Sequence, residues 1–243
     1  ADKFNTLQMG LVAADRVFTV LDRADKIENT GTYATDAVRG DVEFRNVSFA
    51  YVAKEWILAE LIFQLAAGDT LAIVGSTGSG KTTITNVINR FYEFQRGEIL
   101  IDGHDIREYE LYALRSHMAM VMQDVFLFTG TVLDNISLRD PEITREQVVE
   151  ASKLIGAHAF IEKLPGGYDY DVQERGATLS MGQRQLISFV RAMVYDPRII
   201  ILDEATSSVD SETEEMIQQA MERLMKGRTS IVIAHRLATN QKA

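Results

Sequence analysis

A short set of residues carries types and spacings that can do chemistry. Gly75-Ser76-Thr77-Gly78-Ser79-Gly80-Lys81-Thr82 fits G-x-x-x-x-G-K-[ST], a loop that cradles phosphates. Its glycines let the backbone turn tightly and aim N–H groups inward. A helix starting at the same point adds the positive end of its dipole. Lys81 can then reach β- and γ-phosphate oxygens, and the Thr82 hydroxyl can ligate Mg²⁺. Asp203-Glu204 places two adjacent carboxylates at the end of the aliphatic run Ile199 to Leu202, where they are costly unless used. Asp203 is suited to Mg²⁺, directly or through water, and Glu204 to activating or orienting a water. The chemistry these residues point to is attack of water on a nucleoside triphosphate.

Other positions read two ways. Gln123 follows the apolar run Met118 to Met122, where open α/β sheets place ligand contacts, but by position it is equally a solvated loop glutamine. Tyr51 ends a strand and can stack on a base; on its position alone an ordinary strand aromatic is the plainer reading. Ser180 is well placed as an N-cap, and its helix start is either an anion site or a plain cap. His104, His117 and His158 read as structural. His235 differs from them because it directly follows a core run, Thr229 to Ala234.

The elements that must position these groups follow from periodicity. Leu71 to Val74 is a buried strand feeding the glycine loop, and a helix is expected over 80–91. Period-two alternation through Val42, Phe44, Val47, Phe49 and Tyr51 predicts a strand bulged near Arg45-Asn46. Leu61 to Leu65 is the next strand, and Ala67-Gly68-Asp69 reads as a hairpin turn into the strand that follows, so the opening is expected to be antiparallel. Strands are expected at Gly97 to Ile101 and Met118 to Met122, with a helix over 109–116 between them. Residues 124–178 read as a mostly helical insertion, with a capping box at Thr144-x-x-Gln147 opening a helix over 145–163. Helices are also expected from the Ser180 cap to about Tyr195 and over 211–226.

Composition bounds the rest. The chain has 243 residues, 46% of them hydrophobic and 25% charged, as in globular proteins. Its net charge of −10 disfavours sequence-independent nucleic-acid binding. There is no cysteine, hence no disulfide framework and no thiolate metal site. No apolar run approaches the roughly 20 residues that span a bilayer, and no signal-peptide pattern opens the chain. Residues 1–21 carry a broad apolar stripe at helical spacing. That helix either packs on the domain or ends a longer one. Residues 22–40 turn polar and read as a linker.

Taken together, these motifs resemble the nucleotide-binding domain of an ATP-binding cassette (ABC) transporter, over roughly residues 41–243. Walker A is Gly75 to Thr82, and Walker B is Ile199 to Asp203 with Glu204. The signature, usually L-S-G-G-Q, stands as Leu179 to Gln183, with Met181 replacing its first glycine. The Q-loop is Gln123, the D-loop Ser207 to Asp210, the switch histidine His235 and the A-loop aromatic Tyr51. Seven motifs in the family's order are very specific. Glu174-Arg175-Gly176 before the signature resembles the exporter branch.

The resemblance implies an α/β fold: a P-loop NTPase core with an antiparallel β subdomain and an inserted α-helical subdomain. It implies ATP and Mg²⁺, with Tyr51 on the adenine and the loop from Gly75 through Ser76, Thr77, Gly78, Ser79, Gly80, Lys81, Thr82 and Thr83 on the phosphates. Thr82, Gln123 and Asp203 would organise the metal; Glu204, His235, Lys81 and Gln123 would serve catalysis. Ser180, Gly182 and Gln183 would cap the nucleotide of a second such domain, identical or not, in a head-to-tail dimer signalled across by Asp210. A membrane domain fused upstream is implied, with residues 1–23 as the end of its last helix, 24–40 as linker, and the whole on the cytoplasmic face of the membrane. The chain stops eight residues after His235, whereas family members continue, so a truncated or disordered C-terminus is expected. From another class comes a soluble ABC-type ATPase without a membrane partner, and a third reading is a sensor that binds without hydrolysis. The second cassette or inserted coiled coil typical of soluble members is not visible.

Overall fold

Helix α1 (Asp2–Leu21) opens the chain in the computed structural model, which describes residues 2–22, 27–204 and 211–234. Phe4, Leu7, Leu11, Phe18 and Leu21 all stay exposed along it, so its apolar stripe does not pack on the body. Among the described residues no helix is long and apolar enough to cross a membrane. The polar stretch that follows is docked rather than slack. Tyr33 N–H and Thr32 N–H donate to the Glu108 carbonyl, Glu110 N–H donates to Tyr33 O at 2.8 Å, and the Asn29 amide meets the Glu110 carboxylate. Gly31 passes so close to the Tyr109 carbonyl that no side chain fits there.

Alternation from Val42 produces strand β1 (Val42–Phe49), which sits between β2 (Leu58–Leu65) and β4 (Arg96–Ile101), antiparallel to both. The expected bulge is present: pairing shifts between Phe44 and Val47 on one side and between Arg45 and Ser48 on the other. A short β5 (His104–Asp105) closes the far edge through the Asp102-Gly103 turn. Tyr51 lies beyond the strand, in the bend after Phe49.

The second sheet is parallel, in the order β3 (Thr70–Val74), β8 (Thr229–Ala234), β7 (Ile199–Glu204), β6 (Met118–Val121). Here the expected hairpin at 67–69 is corrected. β2 and β3 do not pair; the chain leaves the antiparallel sheet and enters the parallel one, where β3 pairs with β8. A Gly-containing turn between two strands looks alike in sequence whether or not the strands stay partners. Gly68 N–H donates to Thr229 Oγ1 at 2.9 Å, anchoring the turn to β8 instead.

Strand β7 shows how the two cores share one sheet. Ile199 and Ile201 enter the core under the antiparallel sheet, while Ile200 and Leu202 enter the helical core. A strand buried on both faces reads as a continuous aliphatic run. The first core is completed by Val87 and Ile88 of α2 (Lys81–Ile88) and by Leu114 of α3 (Leu111–Ser116). The second is built on α4 (Val132–Ser137), α5 (Arg145–Ile155), α6 (His158–Ile161), α7 (Met181–Val194) and α8 (Ser211–Met225). The single helix expected over 145–163 is corrected to two, α5 and α6. Gly156 ends α5 in the left-handed region, φ +93°, as a C-cap glycine does.

Candidate functional site

The parallel register decides which motifs meet. Val74 pairs with Ala234, and Ala234 with Glu204, so the ends of β3, β8 and β7 lie in one row across the sheet. Val121 pairs with Leu202, which puts Gln123 at the same edge, two residues past the end of β6. Four stretches distant in sequence thus release their chains at one carboxyl edge. The glycine loop leaves β3, Asp203 and Glu204 end β7, and Gln123 follows β6. His235 would follow β8 directly, but it lies outside the described residues, as do Ser207, Ser208 and Asp210.

At the glycine loop, Gly80 takes φ +88° at the N-cap of α2, and no side chain caps that helix. A Cβ there would lie 3.2–3.3 Å from Ile57 and Leu58, so both conformation and space call for glycine. The first turn of an α-helix has N–H groups with no intrahelical partner. With no cap on them, they are donors for an anion, reinforced by the helix dipole. Lys81 is 6% exposed and folds back into the loop, its Nζ donating to Gly75 O at 2.6 Å and Ser76 O at 2.9 Å. An ammonium has three donors, so one is left for an incoming oxygen. Ser79 N–H donates to Ser76 O at 3.1 Å and tightens the turn. Gly78, with φ +84°, shares the loop with Thr77.

Thr82 is exposed in the first turn of α2, while Thr83 is buried. Tyr51 reaches this helix from the other sheet: its hydroxyl receives the Asn86 amide N–H at 3.0 Å and lies 3.5 Å from Thr83 Oγ1. Half of its surface stays open beside the glycine loop's own helix. Asn86 and Tyr92, which crowd this ring, were not legible as site residues; Asn86 sits one turn beyond Thr83 on the same helix face, and that spacing was the available signal.

For Mg²⁺, Thr82, Gln123 and Asp203 offer a hydroxyl, an amide carbonyl and one carboxylate, all oxygen donors. No cluster of three or more His, Cys, Asp or Glu able to hold a metal occurs among the described residues. A magnesium site that takes one or two carboxylates and fills the rest with phosphate oxygens and water fits this donor set.

The stretch after Gln123 is held in place. Asn135 donates to Phe128 O at 2.9 Å and accepts from Phe128 N–H at 2.8 Å; Arg191 donates to Asn135 O at 2.7 Å and Phe126 O at 3.3 Å. Gln123 itself is exposed and lines a small cleft with Met181 and Arg184, beside the start of α7. There Ser180 is the N-cap as expected, in a full capping box. Its Oγ accepts from Gln183 N–H at 3.2 Å, and its own N–H donates to Gln183 Oε1 at 3.0 Å. Ser180 and Met181 are exposed, whereas Gly182 faces inward. The three histidines read as structural have such roles: His117 Nε2 meets Thr35 O at 2.7 Å, His158 Nδ1 meets the Tyr168 hydroxyl at 2.8 Å, and His104 stacks on Tyr33.

Comparison with known proteins points one way. Residues 58–207 match the family described as "ABC transporter". An uncharacterized ABC transporter ATP-binding protein of Bacillus subtilis (strain 168), YknV, is 48% identical over 241 residues, covering 99% of this chain and 40% of that protein. The ATP-dependent lipid A-core flippase of Escherichia coli (strain K12) is 47% identical over 238 residues, covering 97% of this chain and 41% of the flippase. A solved bacterial Atm1-family ABC exporter with ATP bound superposes with a TM-score of 0.82 at 38% identity, covering 97% of this chain and 41% of that one. The chain therefore spans about two fifths of the length of these relatives.

Proposed function

Since the chain belongs to the ABC transporter family, we propose that it is the ATP-hydrolysing motor domain of an exporter, and that it works as a head-to-tail pair on the cytoplasmic face of a membrane. One observation carries the reading. The parallel register gathers the glycine loop, the Asp203-Glu204 strand end and the Gln123 turn at a single sheet edge. Such an edge, outside the carboxyl ends of parallel strands, is where α/β sheets bind ligands.

In this reading the uncapped start of α2 and the loop amides receive the β- and γ-phosphates, with the third Lys81 donor among them. Tyr51 stacks on the adenine. Thr82, Asp203 and Gln123 hold Mg²⁺, which when bound neutralises charge on the phosphate oxygens. Glu204 accepts a proton from the attacking water, and His235 grips the γ-phosphate. Ser180 and Gln183 of a second domain close the site from outside. A hydroxyl offers one donor and two lone pairs, so Ser180 can accept from Gln183 N–H and still donate to a phosphate oxygen. Buried Gly182 contributes its backbone position in that turn rather than an exposed surface. Positioning and charge stabilisation carry phosphoryl transfer, and this inventory supplies both.

The membrane part of the proposal rests on apolar surface. α1 leaves the large apolar side chains of its stripe exposed. A groove of about 350 Å³ lined by Met118, Met122, Phe126, Phe128, Leu138 and Tyr195 opens beside the Gln123 turn. A partner seated there would sense the turn that holds the metal ligand.

The test is Glu204→Gln. ATP binding should persist, ATP-dependent dimer should accumulate, and turnover should fall by about 10²–10⁴-fold, the usual contribution of a general base. Phosphate release at the wild-type rate would remove Glu204 from that role.

A further inference from the structure

A ring that serves as a base platform has to be held, because ordering it at the moment of binding costs affinity. Tyr51 stands in the bend after β1 and is half-exposed, so no strand ladder fixes it. Three side chains hold it. The Asn86 amide donates to the phenolic oxygen at 3.0 Å, and the phenol points on to Thr83 Oγ1 at 3.5 Å. Tyr92 meets the ring edge to face, with centroids 4.9 Å apart and planes at 89°. Phe49 makes a similar contact at 4.7 Å and 88°, but Phe49 belongs to the buried core of the antiparallel sheet.

Asn86 and Tyr92 lie outside that buried core. Asn86 is only half-buried, and asparagine inside a helix is less favourable than alanine. Tyr92 leaves almost half its surface in water. Tyr92 also meets Phe49, with centroids 5.9 Å apart and planes at 58°, and the contact it shares with Asn86 is Tyr51. Asn86 also lies on α2, the helix whose first residues are Lys81 and Thr82.

Resting on the reading of Tyr51 as the adenine platform, we propose that Asn86 and Tyr92 are positioning residues that lock the Tyr51 ring to the phosphate-binding helix. The base platform and the phosphate cradle then hold a fixed spacing, although they come from different sheets. The ring is set for a purine nucleotide before one arrives.

The experiment measures dissociation constants of the purified protein for ATP and for inorganic tripolyphosphate, which has the phosphates but no base. The variants are Tyr51→Ala, Tyr51→Phe, Asn86→Ala, Tyr92→Ala and the double variant Tyr51→Phe/Asn86→Ala. Asn86→Ala and Tyr51→Phe should each weaken ATP by about three- to tenfold, the range for one lost hydrogen bond, with tripolyphosphate unchanged. Tyr92→Ala should act in the same direction. The double variant should be no weaker than Tyr51→Phe, because loss of the hydroxyl already removes the Asn86 bond along with the contact to Thr83. If Tyr51→Ala weakens ATP while Asn86→Ala and Tyr92→Ala leave it at the wild-type value, the positioning proposal is overturned and the platform reading stands. An additive double variant, or equal losses for tripolyphosphate, overturns it too. If Tyr51→Ala itself leaves ATP affinity unchanged, the platform reading falls and takes the proposal with it.

Discussion

α2 and α7 both begin at residues the phosphate chemistry singles out, yet their first turns are finished in opposite ways. α2 starts at Gly80, left-handed and with no side-chain cap, and Lys81 is tied back into the loop that precedes it. α7 starts at Ser180, extended, with a reciprocal capping box between Ser180 and Gln183. The same physics applies to both: a helix start leaves N–H groups to be satisfied. In α7 the chain satisfies one of them itself; in α2 the first turn is left open, at the sheet edge where the other site residues converge. In the proposed pairing, the difference separates a binding site that one chain builds from a surface that completes the site of its partner.

Three substitutions can break or sharpen this contrast. Lys81→Ala should have the largest effect. It removes two loop contacts and a charged phosphate donor, so ATP affinity should fall by about 10- to 100-fold in an equilibrium binding assay on the single chain. Ser180→Ala should leave that single-chain affinity unchanged. It should lower stability by about 1 kcal/mol in a denaturant melt, as loss of an N-cap does, and should slow steady-state hydrolysis about tenfold or more if a paired domain uses the freed hydroxyl proton. A rise in single-chain ATP Kd matching that of Lys81→Ala would merge the two helix starts into one site and end the contrast. Met181→Gly should matter least. Glycine in the first turn costs less than its roughly 1 kcal/mol mid-helix penalty, and hydrolysis should stay within about twofold. A large gain in turnover would show that the exposed Met181 side chain obstructs the paired surface.

A second contrast lies at the N-terminal side. By sequence, residues 22–40 read as a linker, and the helix of 1–21 either packs on the domain or ends a longer one. In the structure α1 is bare, while the segment from Glu28 on is held by Glu108, Glu110 and Asn29 contacts, with Arg90 Nη2 reaching Glu28 O at 3.5 Å. Backbone hydrogen bonds to a segment do not depend on its side chains, so composition carries no trace of them.

Local patterns were enough for much of the molecule. The glycine loop between strand and helix, the bulge near Arg45-Asn46, the capping box at Thr144, the N-cap at Ser180, and the aliphatic strand ending in Asp203-Glu204 are each written in consecutive residues. Each follows from constraints acting within a few positions: backbone conformation, capping geometry and side-chain period. Tertiary structure alone decided the partners. It sent β3 to β8 instead of β2, and turned Gly182 inward while leaving Met181 out. It also brought Asn86 and Tyr92 to Tyr51. Pairing and contact between distant segments are set by which arrangement buries the most apolar surface with every backbone group satisfied. That balance belongs to the whole chain, and no window of neighbouring residues contains it.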